Sequence, residues 1–234
     1  DRVFQGLITG ADAVFLMKRT AIGTYRSAAT DREYVIEDDL MHPLCKGSLN
    51  IRRYRIADVT QGILFPYHVR DGQADLISAK DFEERYPHGW SYLCECRTIL
   101  EARERGKWRH DRWYALGRSQ NLKQMSQVKL LTPSIASAAS FTLDREDHFF
   151  VGSGGGGGGG YGITIDKRAS IEYPYLLGLL NSRLLDWYLR RISSVFSGGY
   201  YAYNRQYIEQ LPIVPVDRNN ADSVAQGHQV STLV

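Results

Sequence analysis

Phe149-Phe150-Val151-Gly152-Ser153, seven glycines from Gly154 to Gly160, then Tyr161-Gly162-Ile163-Thr164-Ile165: the reading of the fold turns on this stretch. Any glycine run contains G-x-G-x-x-G. A dinucleotide site, however, needs a helix directly after the glycines, and a phosphate-binding loop needs a Lys-Ser/Thr pair as well. Here Tyr161–Ile165 alternates like a strand and neither requirement is met. A doubly wound nucleotide-binding fold is therefore disfavoured. Two readings stay open: a flexible linker, or a hairpin tip between strands Phe149–Val151 and Tyr161–Ile165 whose bare backbone amides can approach a phosphate or base edge.

Working outward, Val128–Leu131 and Phe141–Leu143 read as strands before the run, and Tyr173–Ile192 reads as the clearest helix after it. Ser197-Gly198-Gly199 ends that helix and Tyr200–Tyr203 reads as a short strand. Towards the N-terminus, Ala13–Met17, Tyr34–Ile36, Ile51–Tyr54 and Ile63–Tyr67 are short apolar strands, and Pro66 places the last at an edge or bulge. A short helix is expected over Glu37–Cys45, whose acidic start suits the positive end of a helix, and a longer one from Pro87 to about Arg105. The strands are grouped rather than alternating with helices. The expectation is α+β: one domain over 1–216 with a mixed, largely antiparallel sheet, two main helices and long loops, followed by a polar tail or truncated connection over 217–234.

Composition narrows the function classes. With 43% hydrophobic and 24% charged residues the chain can bury a core. Its most apolar stretch, Tyr173–Leu180, is too short and too interrupted for a spanning helix of about 20 residues, so no membrane is expected. The chain opens at Asp1 with no signal-peptide pattern, which points to the cytoplasm, and with no initiator Met, which suggests a piece of a longer protein. Cys45, Cys94 and Cys96 fit no zinc spacing and are read as reduced, buried thiols; the histidines show no paired spacing, so no metal is inferred. Net charge is only +3, but residues 85–118 and 167–207 hold the positive excess, as Arg among Trp and Tyr. That composition suits contact with phosphates and bases and is also common at protein interfaces.

Within the first basic segment, Gly117-Arg118-Ser119-Gln120-Asn121-Leu122 packs four side-chain types that read base edges; a polar loop with an Asn helix cap is the plainer alternative. Lys46-Gly47 with Arg52-Arg53, and Ser197-Gly198-Gly199-Tyr200, are weaker candidates. No Asn/Asp-Pro-Pro-aromatic motif, no glycine motif leading into a helix and no Glu-x-Lys pair is present, so no catalytic residue is assigned.

Taken in order, Phe4–Asp12, Leu44–Gly47 with Ile51–Tyr54, Ile63–Tyr67, Gly117–Leu122, Phe150–Gly154, Leu179–Ser182, Ser197–Tyr200 and Gln210–Ile213 resemble the TaqI-like C-terminal specificity domain. That domain occurs in adenine-N6 DNA methyltransferases and fused Type IIG restriction–modification enzymes. The resemblance implies a target-recognition module that holds double-stranded DNA for the parent's methyltransferase domain, where S-adenosylmethionine binds; none binds in this chain. It implies DNA-facing loops at Lys46, Arg52 and Arg53; Arg118, Ser119, Gln120 and Asn121; Ser153, Gly154, Gly155 and Tyr161; and Ser197, Gly198, Gly199 and Tyr200. The arginines and Lys46 are assigned mainly to phosphates, and Gln120, Asn121 and the glycine-loop backbone mainly to base edges. The competing class is a protein-interaction subunit that docks on a partner enzyme.

Overall fold

The computed structural model describes residues 2–70, 72–152, 158–166, 169 and 171–234. Its principal strands are β1 (Arg2–Gln5), β2 (Leu16–Ala21), β3 (Thr24–Ser27), β4 (Glu33–Val35), β5 (Met41–Cys45), β6 (Gln61–Leu64), β7 (Lys129–Pro133), β8 (Ile135–Ala136), β9 (Thr142–Asp144), β10 (Gly160–Thr164), β11 (Val195–Phe196) and β12 (Tyr200–Ala202). The longer helices are α1 (Pro87–Glu95), α2 (Tyr173–Leu180), α3 (Arg183–Ile192) and α4 (Ala221–Thr232). The class is α+β, as the grouping of strands implies. The strands form several open sheets rather than one, and the contacts divide the chain into two compact units.

The first unit comprises Asp1–Gly6, Cys45–Asp58 and Gln127–Val234. Its main sheet runs β1-β10-β7-β9 with antiparallel pairing throughout, and a smaller sheet runs β8-β12-β11. Leu130 and Ile163 from the main sheet, Leu176, Leu177 and Leu180 from α2, and Leu189 from α3 bury one core with Phe141 and Tyr203. The single helix expected over Tyr173–Ile192 is broken at Asn181, and the cause is a distant contact. The Asn181 amide leaves the helical path to pair with both the N–H and the C=O of Phe141, at 3.0 and 2.9 Å. Ser182 then caps α3 by accepting from the Leu185 N–H. The segment expected as a loose tail is helical from Ala221 to Thr232, capped by Asn220, and Val230 packs where Gly178 has no side chain. Close approach over glycine needs no long apolar stripe, which is why periodicity misses it.

The second unit comprises Leu7–Leu44 and Val59–Ser126. In it β5, β6, β2, β3 and β4 lie side by side in that order, each pairing antiparallel. The expected helix over Glu37–Cys45 makes only one 3-10 turn, Asp38–Leu40, before β5. Pro43, lacking an N–H and clashing in a helix interior, explains the correction. Pro66 lies outside any strand, and β6 is central rather than an edge. The long helix expected from Pro87 is α1 followed by a short helical turn at Arg97–Glu101 and, at Arg103–Gly106, a turn in which Glu104 and Arg105 leave the helical conformation. Beneath them Phe82, Trp90, Trp113 and Tyr114 form an aromatic cluster with centroids 5.3–5.9 Å apart. Of the three cysteines, Cys45 and Cys96 are buried as expected, but Cys94 is exposed.

Candidate functional site

The glycine run begins and ends in one place. The Gly160 N–H donates to the Val151 carbonyl at 2.8 Å, and Gln5 Nε2 donates to the Gly152 carbonyl at 2.9 Å. Both flanks thus lie within the first unit and are hydrogen-bonded to each other, which disfavours a linker between separate bodies. Strand Phe149–Phe150 and β10 nonetheless belong to different sheets, so the expected hairpin is not formed. Ser153, Gly154 and Gly155 lie outside the described residues. After the run comes strand β10, not a helix, so these residues do not fit a methyl-donor or nucleotide cradle of the helix-terminus kind.

Several of the other candidates gather around Ser134 and β8. The Ser134 N–H donates to Gly159 C=O at 2.8 Å, and Ser134 C=O accepts from the Tyr203 N–H at 2.9 Å. On one side of β8 packs the helical turn Gly47–Asn50, which follows Lys46 directly. On the other, Ile135 and Ala136 pair with Ala202 and Tyr201 of β12, whose hairpin with β11 presents Ser197, Gly198, Gly199 and Tyr200 to solvent. Gly198 and Gly199 have φ of +79° and +76°, the left-handed conformation that glycine adopts without a Cβ penalty. Lys46 is half-buried, and its N–H is held by Asn50 Oδ1 at 2.9 Å.

Not every candidate of this unit faces outward. Tyr161 sits in β10, half-buried against the core, and burial raises its hydroxyl pKa. Arg52 is half-buried, whereas Arg53 is exposed but donates to the Asn181 carbonyl at 2.7 Å, at the break between α2 and α3.

The second unit holds Arg118, Ser119, Gln120 and Asn121 as an exposed to half-buried tip on a buried stalk, Trp113–Gly117. The stalk is pinned along its length. The Tyr114 hydroxyl donates to Ile77 C=O at 2.7 Å, and the Leu116 N–H donates to the Tyr67 hydroxyl at 2.9 Å. The Gly117 and Arg118 N–H groups donate to Thr9 and Ile8 C=O at 2.8 and 3.1 Å. Asn121 adopts left-handed geometry, φ +62°, before the 3-10 turn Leu122–Gln124, and its side chain makes no cap hydrogen bond there. Arg118, assigned to phosphate from sequence, is paired with Glu104 at 2.8 Å.

Two residues around this tip escape sequence reading. Arg103 lies in the basic, aromatic-rich segment and reads there as surface charge, yet it is buried. Glu104 has no local pattern to mark it. Among the described residues no group of three or more His, Cys, Asp or Glu could hold a metal, and no helix is long and apolar enough to cross a membrane.

The chain is similar to known proteins over nearly its whole length. The model of the TaqI-like C-terminal specificity domain matches residues 42–213, well over half of it. The Type II restriction enzyme and methyltransferase RM.Eco57I of Escherichia coli is 23% identical over 226 residues, covering 92% of this chain. The chain spans only 22% of that relative's length. Phe4–Asp12 lies before the matched region, while the other segments that suggested the resemblance fall within it or at its edge. By that match the chain belongs to the family of TaqI-like C-terminal specificity domains.

Proposed function

We propose that this chain is the sequence-reading module of a restriction–modification adenine-N6 DNA methyltransferase, with or without a fused endonuclease. In this reading it grips double-stranded DNA and positions the duplex for a catalytic domain outside this chain. That domain would bind S-adenosylmethionine and act on an adenine flipped from the stack. The chain itself performs no methyl transfer, and its partners are DNA and that catalytic domain, in the cytoplasm.

The observation that supports this most is the pairing of family membership with a rigidly mounted polar tip, Arg118–Asn121. Arg, Ser, Gln and Asn are the side chains that match base-edge donors and acceptors, and a bidentate match requires one fixed pose. The loops around Ser134 supply the complementary property: exposed glycine backbone and Lys46, suited to phosphate contact.

Titration of the 234-residue chain with random and selected duplexes at two salt concentrations tests the proposal. Binding to random duplex is expected near 10⁻⁴ to 10⁻⁶ M, with log K falling by about 0.9 per neutralised phosphate for each unit of log salt. Binding indifferent to salt would favour the protein-interaction alternative. A saturable heat with S-adenosylmethionine alone would contradict the assignment of the methyl donor to another domain.

A further inference from the structure

We propose that Arg103 is a positioning residue for sequence readout, its buried guanidinium fixing the pose of the Arg118–Asn121 tip; this rests on the reading of that tip as base-contacting. Arg103 is 7% exposed. Nε donates to Leu100 C=O at 2.8 Å, Nη1 to Thr9 and Ala115 C=O at 3.1 and 2.9 Å, and Nη2 to Trp113 C=O. The Trp108 ring covers the guanidinium at 3.9 Å. All four of these acceptors are backbone carbonyls, drawn from three separate stretches of chain.

This is an expensive way to fill space. Burying a charge costs free energy unless it is fully hydrogen-bonded, and an apolar side chain of similar size often stabilises a fold as well or better. Burial also lowers the guanidinium pKa to about 10, which leaves it charged at neutral pH. What an apolar residue could not do is hold several carbonyls in one plane. The Arg fork presents five donors in fixed directions, whereas a Lys ammonium concentrates three on a single atom.

The geometry connects the fork to the tip. Thr9 C=O accepts from both Arg103 Nη1 and the Gly117 N–H, so one carbonyl joins the buried cation to the last stalk residue. A Cβ on Gly10 would stand 3.3 Å from Gly117 Cα and 3.4 Å from Arg103 Cδ, so the two glycines and the Arg meet at one point. Arg118 follows directly, then Ser119, Gln120 and Asn121. A shift at this junction would pass to side chains whose contacts depend on both distance and angle.

The test compares the wild-type chain with Arg103→Lys, Trp108→Leu, Glu104→Gln, Gln120→Ala and Asn121→Ala. The duplex is the one that wild type selects from a random-sequence library. Arg103→Lys keeps the charge, so binding to random duplex and its salt slope should change less than about two-fold. Preference for the selected duplex should fall about ten-fold or more, the order expected when a bidentate base contact is lost. Amide exchange should quicken at Gly117 and Arg118 but not in β2 or β6. Trp108→Leu leaves every Arg103 donor in place, removing the ring over the guanidinium and the indole hydrogen bond to Glu104. It should lower the preference in the same direction where Glu104→Gln does not, which keeps the test decisive if Arg103→Lys does not fold. Unchanged preference in a folded Arg103→Lys, or in Trp108→Leu, overturns the positioning role. If Gln120→Ala and Asn121→Ala also leave the preference unchanged, or no duplex is preferred, the base-reading assignment has failed and the proposal falls with it.

Discussion

The tip at Arg118–Asn121 and the hairpin tip at Ser197–Tyr200 are both short, polar and solvent-facing, and they are supported in opposite ways. The first stands on a buried stalk fixed by Arg103, by Tyr67 and by an aromatic cluster. The second closes on two residue pairs, Val195 with Tyr201 and Phe196 with Tyr200; only its second strand is anchored further, by Ala136 and Ile135 of β8, and Val195 and Phe196 are themselves exposed. A bidentate base contact suits a donor and acceptor held in one pose. Following a phosphate backbone tolerates a support that yields. Two short, solvent-facing loops therefore carry two different mechanical properties, and the support beneath each loop decides which.

The comparison breaks hardest where the hairpin's own unit is weakened. Lys129 and Asp144 face each other across β7 and β9, fully buried, with Nζ 2.7 Å from Oδ2, while His148 Nδ1 lies 2.9 Å from Oδ1. Lys129→Met would strip the buried carboxylate of its lysine partner, leaving the His148 contact and the Glu146 N–H, and should cost about 3–5 kcal/mol, read by urea unfolding. Amide exchange should quicken at Leu130 and Ile163 before it does at Met17 and Ile63. Burial alone would raise the Asp144 pKa, but the His148 hydrogen bond and the Lys129 charge outweigh it and hold the pKa below the ordinary value. A depressed carboxylate pKa contributes stability that is present above the unfolded value of about 3.9 and lost as pH falls through the folded one. Stability that is flat in pH below about 4, or unaltered in that range by Asp144→Asn, would contradict this assignment.

That ion pair also shows what sequence makes legible. The α+β class followed from grouped strands, and β10 from the alternation Tyr161–Ile165 after the glycines. Local patterns of that sort survive folding because neighbouring residues cause them. The break at Asn181 is caused by Phe141, forty positions away, and the burial of Arg103 by carbonyls of Thr9 and Trp113. Neither leaves a periodic trace. Pro43 was a legible signal against the expected helix over Glu37–Cys45, outweighed there by the acidic start. The polar tip at Gly117–Leu122 was visible as a string of side-chain types, but nothing local distinguishes a rigid tip from a yielding one.

Two glycine substitutions sharpen the comparison. A Cβ on Gly117 would stand 3.0 Å from Gly10 N and 3.1 Å from Gly10 Cα, backbone atoms that cannot rotate away. Gly117→Ala should destabilise by about 1–3 kcal/mol and reduce site preference, measured by melting and by competition between selected and random duplexes. At the hairpin, a Cβ on Gly199 meets nothing within 4 Å, so Gly199→Ala costs only its left-handed backbone, about 1 kcal/mol. It should loosen the hairpin, weaken random-duplex binding slightly and leave site preference alone. Equal effects of the two substitutions on preference would erase the distinction between the loops.

The smallest effect concerns charge at the rigid tip. Glu104 and Arg105, followed by Gly106, have φ of +48°, +61° and +84°, an uncommon run for residues other than glycine. This turn brings the Glu104 carboxylate to Arg118, 2.8 Å from Nη1, and that hydrogen bond is the main cause of its lowered pKa. Both side chains are substantially exposed, so the pair adds little stability and a phosphate can displace the carboxylate at small cost. Glu104→Gln keeps the shape and removes the charge. Random-duplex affinity should rise modestly, with the salt slope steeper by up to about 0.9 and site preference unchanged, since Gln120 and Asn121 are untouched. Protonation mimics the substitution, so the gap between wild type and variant should narrow as pH falls below the ordinary Glu value of about 4.3. A variant that binds random duplex less tightly than wild type would mean that Glu104 aims Arg118 at the phosphate instead of shielding it.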